Sequence, residues 1–158
     1  MSLLLEARSI GKVFHGGNRL FGESTETIAV DNFSLAIDAD NPSFTTIAGE
    51  SGSGKTTIAR MLLGVLDPSA GQVLYQGLDT RELEKGEQRH FRQDVQAIFQ
   101  DPFEVYNPFY KIDHILTTPI QKFGLAASKA EAYEQIQQAL RTVGLRPEET
   151  LGRYPHQL

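Results

Sequence analysis

The chain has 158 residues, a formal net charge of −5 from 20 acidic and 15 basic side chains, and no cysteine. This length is near the usual size of one domain. The acidic balance gives no support to nucleic-acid binding, which needs a basic surplus or stripe, and without cysteine neither disulfides nor thiolate metal sites can form. No apolar run approaches the ~18 residues of a membrane span, and we expect no signal peptide in residues 1–6, which lack a basic leader and have too short an apolar run. We therefore expect a soluble protein, or one that is peripheral to a membrane through its partners.

The N-terminal part of the chain is typical of short strands separated by turns. The predicted strands are residues 3–7, 10–14, 28–30 and 33–37. Gly11, at the start of the second, is interpreted as the break between the first two, and the polar, glycine-containing residues 15–27 indicate an exposed loop. Residues 38–42 predict a turn into the next strand.

Residues 49–57 fit the pattern G-x-x-x-x-G-K-S/T of a phosphate-binding loop. The glycines lack a Cβ, so the backbone can take a positive φ and bring several N–H groups close to a polyphosphate. Lys55 would bring a positive charge to the phosphates, and the Thr56 hydroxyl is a hard oxygen ligand suited to Mg²⁺. The candidate binding residues are Gly49, Glu50, Ser51, Gly52, Ser53, Gly54, Lys55, Thr56 and Thr57.

The flanks of this loop supply the context that the motif requires. Residues 44–48 predict a short buried strand that enters the loop, and an apolar face with helical spacing follows it. That face consists of Ile58, Met61, Leu62 and Val65. Gly64 and residues 67–68 predict the end of the helix, whose N-terminal dipole would point at the bound anion. The alternative is a glycine-rich turn with an incidental lysine.

Beyond this helix the pattern predicts two further strands, at residues 72–75 and 95–99. Between them, the charged residues 79–94 indicate a solvated helical face. Gln100 ends the second strand, and residues 101–102, Asp-Pro, cannot continue it.

The C-terminal part predicts helices. One is expected near residues 111–118, between Pro108 and Pro119. Residues 128–131, Ser-Lys-Ala-Glu, have the form of a capping box that opens a helix through Val143. Strands followed by a strand–loop–helix core and a helical tail indicate an α/β protein with a helical subdomain.

Together these motifs resemble the ATP-binding cassette (ABC) ATPases. Residues 98–102, Ile-Phe-Gln-Asp-Pro, resemble the glutamine loop of that family, and residues 12–14 resemble the segment whose aromatic residue stacks on adenine. Residues 153–158, Arg-Tyr-Pro-His-Gln-Leu, resemble the lead-in to the signature motif, which continues Ser-Gly-Gly-Gln in the family. The insertion after Phe14 and this C-terminal sequence resemble the dipeptide and oligopeptide importer branch.

The resemblance implies a fold and two ligands. The fold would be a truncated P-loop NTPase of the ABC type, with an antiparallel β subdomain and ATP-binding core in residues 1–100 and a helical subdomain in residues 101–158. The ligands would be ATP and Mg²⁺. Phe14 would stack on adenine, while Thr56 and Gln100 would ligate or position Mg²⁺, and Gln100 would also sense the membrane domains of the transporter.

Alternatives stay open for single residues. Phe14 could be a core aromatic at the end of a strand, with Phe21 as the rival for adenine. Gln100 could be a polar residue that merely ends a strand. We expect His156 to be a surface residue without a role.

The resemblance also implies partners, and it limits the activity that we expect of this sequence. The intact subunit would couple ATP hydrolysis to uptake of peptides or related solutes, as a head-to-tail dimer with a second ATPase subunit. It would lie beneath membrane-domain subunits on the cytoplasmic face of the cell membrane and meet a solute-binding protein only indirectly. The sequence stops before the signature serine and glycines, so we identify no catalytic residue in it. We expect the chain to bind nucleotide weakly at most, to expose apolar sheet edge and to self-associate.

Three other functions remain as alternatives. A small-molecule or nucleotide kinase also uses a phosphate loop, but it would need an arginine-rich lid, for which Arg141, Arg146 and Arg153 are too dispersed. A non-catalytic interaction domain with a vestigial site predicts no affinity for ATP. A soluble ABC ATPase of repair or translation is disfavoured by the short core and the acidic charge.

Overall fold

A computed structural model describes residues 3–16, 25–100 and 107–157. The chain divides into two compact units, Met1–Gln96 and Ala97–Leu158, called here the first and second units. The elements in chain order are β1 (Leu3–Gly16), β2 (Thr25–Asp38), α1 (Lys55–Leu62), β3 (Ala70–Tyr75), β4 (Leu78–Asp79), α2 (Lys85–Asp94), α3 (Ile112–Phe123), α4 (Lys129–Thr142), α5 (Pro147–Thr150) and a 3₁₀ turn (Pro155–Gln157). Within the described ranges, no helix is both long and apolar enough to cross a membrane.

The first unit contains an antiparallel sheet in the order β2-β1-β3-β4. The predicted break at Gly11 is wrong, because β1 is one continuous strand, and β2 likewise merges the two short strands predicted there. One irregularity lies at Ser9, where φ is +48° and both ladders of β1 shift register, and the ladder with β2 shifts again between Ile10 and Val13. The Ser9 N–H donates to the Ser34 hydroxyl at 2.9 Å, which satisfies a backbone group that the bulge removes from the ladder. Residues 15–27 are predicted to form a loop, but both ends of this range belong to strands. Residues 17–24 lie outside the described residues.

The core of the first unit packs α1 and α2 against the sheet. Its buried members are Leu5, Ala7, Ile10, Val30, Ile58, Met61, Val73, Tyr75, Leu83 and Phe91. The predicted end of α1 at Gly64 is confirmed, since Gly64 has φ +64° and the Val65 N–H returns to the Arg60 carbonyl at 3.0 Å. The prediction that Val65 belongs to the buried face is wrong, because it follows this turn and is exposed.

Two predicted strands, at residues 44–48 and 95–99, do not form. A strand needs a neighbour that accepts its ladder hydrogen bonds, and none of the four described strands pairs with either segment. Phe44 and Ile98 are fully exposed. The phosphate-loop motif is therefore preceded by irregular chain that belongs to no sheet.

The second unit contains the helices α3 to α5. The prediction that the first of them ends before Pro119 is wrong, since α3 continues to Phe123 and ends at Gly124, which has φ +60°. The hydroxyls of Thr117 and Thr118 donate to the carbonyls of Asp113 and His114 at 2.7 and 2.5 Å, and these bonds reinforce the turn before the proline.

The predicted start of α4 is confirmed. The Ser128 hydroxyl accepts the Glu131 N–H at 3.1 Å, as in a capping box. The Glu131 carboxylate reaches one residue further back than that motif requires, because it accepts the N–H of Ala127 at 2.7 Å. Ile136 and Leu140 are buried on the predicted apolar face, whereas Val143 is exposed.

Candidate phosphate-binding loop

The candidate loop, residues 49–57, leads from exposed backbone directly into α1. Gly54 is the N-cap of α1, with φ 86° and ψ 0°. The first hydrogen bond of this helix runs from the Ile58 N–H to the Gly54 carbonyl at 2.9 Å. The amides of Lys55, Thr56 and Thr57 precede that bond, so the helix offers them no acceptor. Unpaired amides and the positive end of the helix dipole make this terminus suited to an anion.

Gly54 fixes where α1 begins relative to the sheet. A Cβ at this position would lie 2.3 Å from the Ala29 carbonyl oxygen and 3.2 Å from Cγ2 of Val30, both in β2. Only glycine allows so close an approach together with a φ of +86°. Because Ile58 and Met61 are buried one and two turns further on, the start of the helix is held against β2.

The other two glycines of the motif permit a tight turn. The Ser53 N–H donates to the Glu50 carbonyl at 3.2 Å, which closes the turn. A Cβ on Gly49 would lie 2.6 Å from the Ser53 hydroxyl oxygen. At Gly52 φ is +84°, but a Cβ would meet no atom within 4 Å. The close contact at Gly49 is with a hydroxyl that can rotate away, whereas Gly52 is required by its backbone conformation.

The Lys55 ammonium lies inside the curl of this loop. It donates to the carbonyls of Gly49 and Glu50 at 2.7 and 2.5 Å, and it lies 3.2 Å from the Ser53 hydroxyl oxygen. These contacts hold a positive charge inside the loop that opens α1. The next residue, Thr56, is exposed in the first turn of the helix. The loop therefore gathers amides, one ammonium and one hydroxyl, which is the donor set that a polyphosphate with Mg²⁺ requires.

Phe14 lies near the end of β1, opposite Thr27, and is 44% exposed. The alternative that it is a core aromatic is therefore wrong. The Lys12 ammonium lies 5.6 Å from the centre of its ring and donates to the Asp67 carbonyl at 2.7 Å. An exposed aromatic ring on a strand can stack on a base. That Phe14 stacks on adenine stays a prediction. Its rival, Phe21, lies outside the described residues.

Gln100 is exposed and follows no strand, so the alternative that it merely ends one is also wrong. It belongs to the second unit, whereas Thr56 belongs to the first. The pairing of these two residues about Mg²⁺ stays a prediction. Residues 101–102 of the same motif lie outside the described residues.

The segment that resembles the signature lead-in is tied to the start of α3. The Ile112 N–H donates to the Arg153 carbonyl at 2.9 Å, and the Gly152 N–H donates to the Asp113 carboxylate at 2.6 Å. His156 is exposed, as expected, and its ring stacks on Tyr154 at a centroid distance of 5.7 Å.

Sequence reasoning missed one contributor to the loop, the backbone of Ala29. The alternation of apolar and polar residues around Ala29 correctly indicated a strand. No local signal, however, shows that its carbonyl meets Gly54, because the two residues are distant in sequence. A glycine that is required by a distant contact looks the same in sequence as one that is required by its own φ.

A glycine loop that opens a helix packed on a sheet, with a lysine at the first helical position, defines a phosphate-loop protein. Comparison with known families then identifies the class within that fold. The family model described as "ABC transporter" matches residues 30–158. The chain belongs to the ABC transporter family, and the resemblance inferred from residues 49–57, 98–102 and 153–158 is confirmed.

The similar curated proteins belong to peptide transport systems. The chain is 35% identical to a di/tripeptide transport ATP-binding protein of Pseudomonas aeruginosa over 99% of this chain and 47% of that protein. It is 35% identical to an oligopeptide transport ATP-binding protein of Haemophilus influenzae over 98% of this chain and 47% of that protein. The chain thus spans about half the length of these relatives.

Solved structures support the same fold. A dimeric bacterial ABC transporter cassette superposes with a TM-score of 0.75 at 26% identity, over 98% of this chain and 62% of that chain. A dimeric ATP-binding cassette bound to ADP and Pi gives a TM-score of 0.76 at 24% identity, with the same coverage of 98% and 62%. The α/β fold of the ABC ATPase type is thereby confirmed.

Proposed function

We propose that the chain is the ATP-binding part of the ATPase subunit of an ABC importer for peptides or related small solutes. The observation that carries this proposal is the Lys55 ammonium, which the carbonyls of Gly49 and Glu50 hold inside the loop that opens α1. Both carbonyls that accept from this ammonium are neutral, so an anion can still pair with it. The names of the curated relatives support peptides as the solute class.

Each residue of the site has a role in this proposal. The amides of residues 49–57 and the Lys55 ammonium bind the phosphates, and the exposed ring of Phe14 stacks on adenine. The Thr56 hydroxyl ligates Mg²⁺, and Gln100 positions it. Bound Mg²⁺ would neutralise charge that develops on the β- and γ-phosphate oxygens. We assign no catalytic residue to the described part of the chain.

The proposed partners follow from the family. A second ATPase subunit would pair head to tail with this one, beneath membrane-domain subunits on the cytoplasmic face of the membrane. Gln100 would respond to those membrane domains, and the solute-binding protein would be reached only through them.

The proposal is tested by titrating Mg·ATP into the wild type, Lys55→Ala and Lys85→Ala. Lys85 is an exposed lysine at the start of α2 in the same unit, so its removal changes the net charge equally. Loss of charge-assisted hydrogen bonds predicts at least about tenfold weaker binding for Lys55→Ala. We expect Lys85→Ala to bind like the wild type.

Equal affinity of all three proteins for ATP would contradict the proposal. Thr56→Val, which removes the hydroxyl but keeps the shape of the side chain, should raise the Mg²⁺ concentration needed for binding and leave metal-free binding unchanged. Phosphate transfer to a small acceptor would instead favour the kinase alternative. Absence of ATP binding by the wild type would favour a vestigial site.

A further inference from the structure

The short connection from α1 to β3 is tied to β1 by hydrogen bonds at three consecutive residues. The half-buried Lys12 donates from its ammonium to the Asp67 carbonyl at 2.7 Å. The Ser69 N–H donates to the Gly11 carbonyl at 2.8 Å, and the Ser69 hydroxyl accepts the Val13 N–H at 3.2 Å. This part of β1 is therefore held to the segment that follows the phosphate-loop helix.

The Lys12 ammonium also lies over the ring of Phe14, two residues further along β1. Its nitrogen is 5.6 Å from the ring centre. Residues two apart in a strand share one face of the sheet, and a cation over an aromatic ring is attracted by the negative face of that ring. Because the Asp67 carbonyl fixes the ammonium, the ammonium favours one orientation of the ring. The ring stays accessible to a ligand, since Phe14 is 44% exposed.

The same part of β1 lies opposite the residues of β2 that meet the phosphate loop. Lys12 pairs with Val30, and the next ladder pair skips Ala29, which forms a bulge in β2. The Ala29 carbonyl and the Val30 side chain are also the groups nearest to Gly54, at 2.3 and 3.2 Å from the position of a Cβ there. Val30 is thus both the ladder partner of Lys12 and a neighbour of the residue that opens α1. This one stretch of β2 joins the lysine to the phosphate loop.

We propose that Lys12 is a positioning residue for the base of the nucleotide. Its ammonium, held by the Asp67 carbonyl, covers one face of the Phe14 ring and leaves the opposite face for the base. The inference rests on the proposed function, since it assigns Lys12 to the same nucleotide site. A ring that is ordered before the nucleotide arrives loses less side-chain entropy on binding. In this role Lys12 acts on the base through Phe14, whereas Lys55 acts on the phosphates.

The proposal is tested by comparing ATP with inorganic tripolyphosphate, which has the phosphates but no base. Both are titrated into the full chain at physiological ionic strength, which screens distant charges. Lys12→Met removes the charge but keeps a long side chain. It should weaken ATP binding about two- to fivefold, the worth of an exposed cation–π contact, and leave tripolyphosphate binding unchanged. Lys12→Arg keeps a cation over the ring and should restore most of the ATP affinity.

Two further variants serve as controls. Lys85→Met makes the same change in charge and side-chain shape on α2 and should bind both ligands like the wild type. Phe14→Leu removes the ring. In that background Lys12→Met should have no further effect on ATP affinity, because the lysine acts through the ring.

A fluorescent reporter tests the ordering of the ring without any nucleotide. The chain has no tryptophan, so Phe14→Trp introduces a single fluorophore. In this background Lys12→Met should increase the amplitude of fast ring motion in time-resolved anisotropy, whereas Lys85→Met should not.

Three results would overturn the proposal. One is unchanged ATP affinity in Lys12→Met, and another is unchanged ring motion at position 14. The third is an equal loss of ATP and tripolyphosphate affinity, which would place Lys12 on the phosphates. Failure of the proposed function would instead appear as equal tripolyphosphate affinity in the wild type and Lys55→Ala, whatever the ring motion at position 14.

Discussion

A Cβ at Gly54 would lie 2.3 Å from the carbonyl oxygen of Ala29, so the phosphate-loop helix begins in direct contact with the backbone of β2. Gly52, two residues earlier, has nearly the same positive φ, 84° against 86°, but faces open space. The two glycines therefore separate two requirements that usually coincide. One is a left-handed backbone, and the other is the absence of a side chain.

Gly54→Ala should cost more stability than Gly52→Ala. Both substitutions force alanine into the left-handed region, which costs roughly 1–2 kcal/mol. Only the first adds overlap with fixed backbone, for which overpacking predicts about 1–3 kcal/mol more. Urea denaturation of the two variants and the wild type measures the difference. Equal losses would show that the contact with Ala29 relaxes at no cost.

Gly64→Ala should weaken the packing of α2 on α1. The new Cβ would lie 2.8 Å from Cε1 of Phe91, at a residue with φ +64°. Gly144→Ala is the matched control, since Gly144 has φ +79° and no atom within 4 Å of the new Cβ. We expect the free energy of unfolding to fall by about 1–3 kcal/mol more for Gly64→Ala. In a Phe91→Leu background the excess should shrink, and a double-mutant cycle measures that coupling. An excess that persists in this background would assign the cost to a neighbour other than Phe91.

The sequence was most informative where structure depends on local signals. The left-handed backbone of Gly52, the end of α1 at Gly64 and the cap of α4 at Ser128 each follow from the adjoining residues, whereas the contact of Gly54 with Ala29 does not. The strands predicted at residues 44–48 and 95–99 failed, because strand formation also depends on a partner that periodicity does not reveal. The prediction that α3 ends before Pro119 was also wrong. The helical turns on either side of the proline keep α3 intact, although proline has no backbone N–H to donate.

The exposed segment around Phe44 should promote self-association of the 158-residue chain. Phe44 is fully exposed, on backbone that is in no sheet and can therefore pair with another chain. We expect Phe44→Ser to reduce the associated fraction in sedimentation velocity without changing the urea midpoint. Phe109→Ser, which removes a similarly exposed ring from the second unit, is the control. A wild-type chain that is monomeric at all concentrations would contradict this prediction, and an equal effect of both variants would show a general effect of hydrophobicity.

Tyr75 should make stability pH-dependent in strongly alkaline solution. Burial, and then the hydrogen bond and charge of Asp94, raise the pKa of Tyr75 from 10.0 to about 12. Since the folded protein holds this proton more tightly than the unfolded chain, the contribution to stability is fully present below about pH 10. It is lost as the pH rises towards about 12.

The free energy of unfolding should therefore fall more steeply between pH 10 and about 12 in the wild type than in Tyr75→Phe, which has no phenol at this position to ionise. Urea denaturation across this range measures both slopes, and comparison of the two proteins cancels the titration of lysines and other tyrosines. Tyr133→Phe removes an exposed hydroxyl on α4 and should keep the wild-type slope. Tyrosinate absorbance gives an independent check, because one phenol should ionise late in the wild type and be missing in Tyr75→Phe. Parallel slopes in the two proteins would mean that the native state does not hold the Tyr75 proton against Asp94, and the hydrogen bond between them would lose its thermodynamic support.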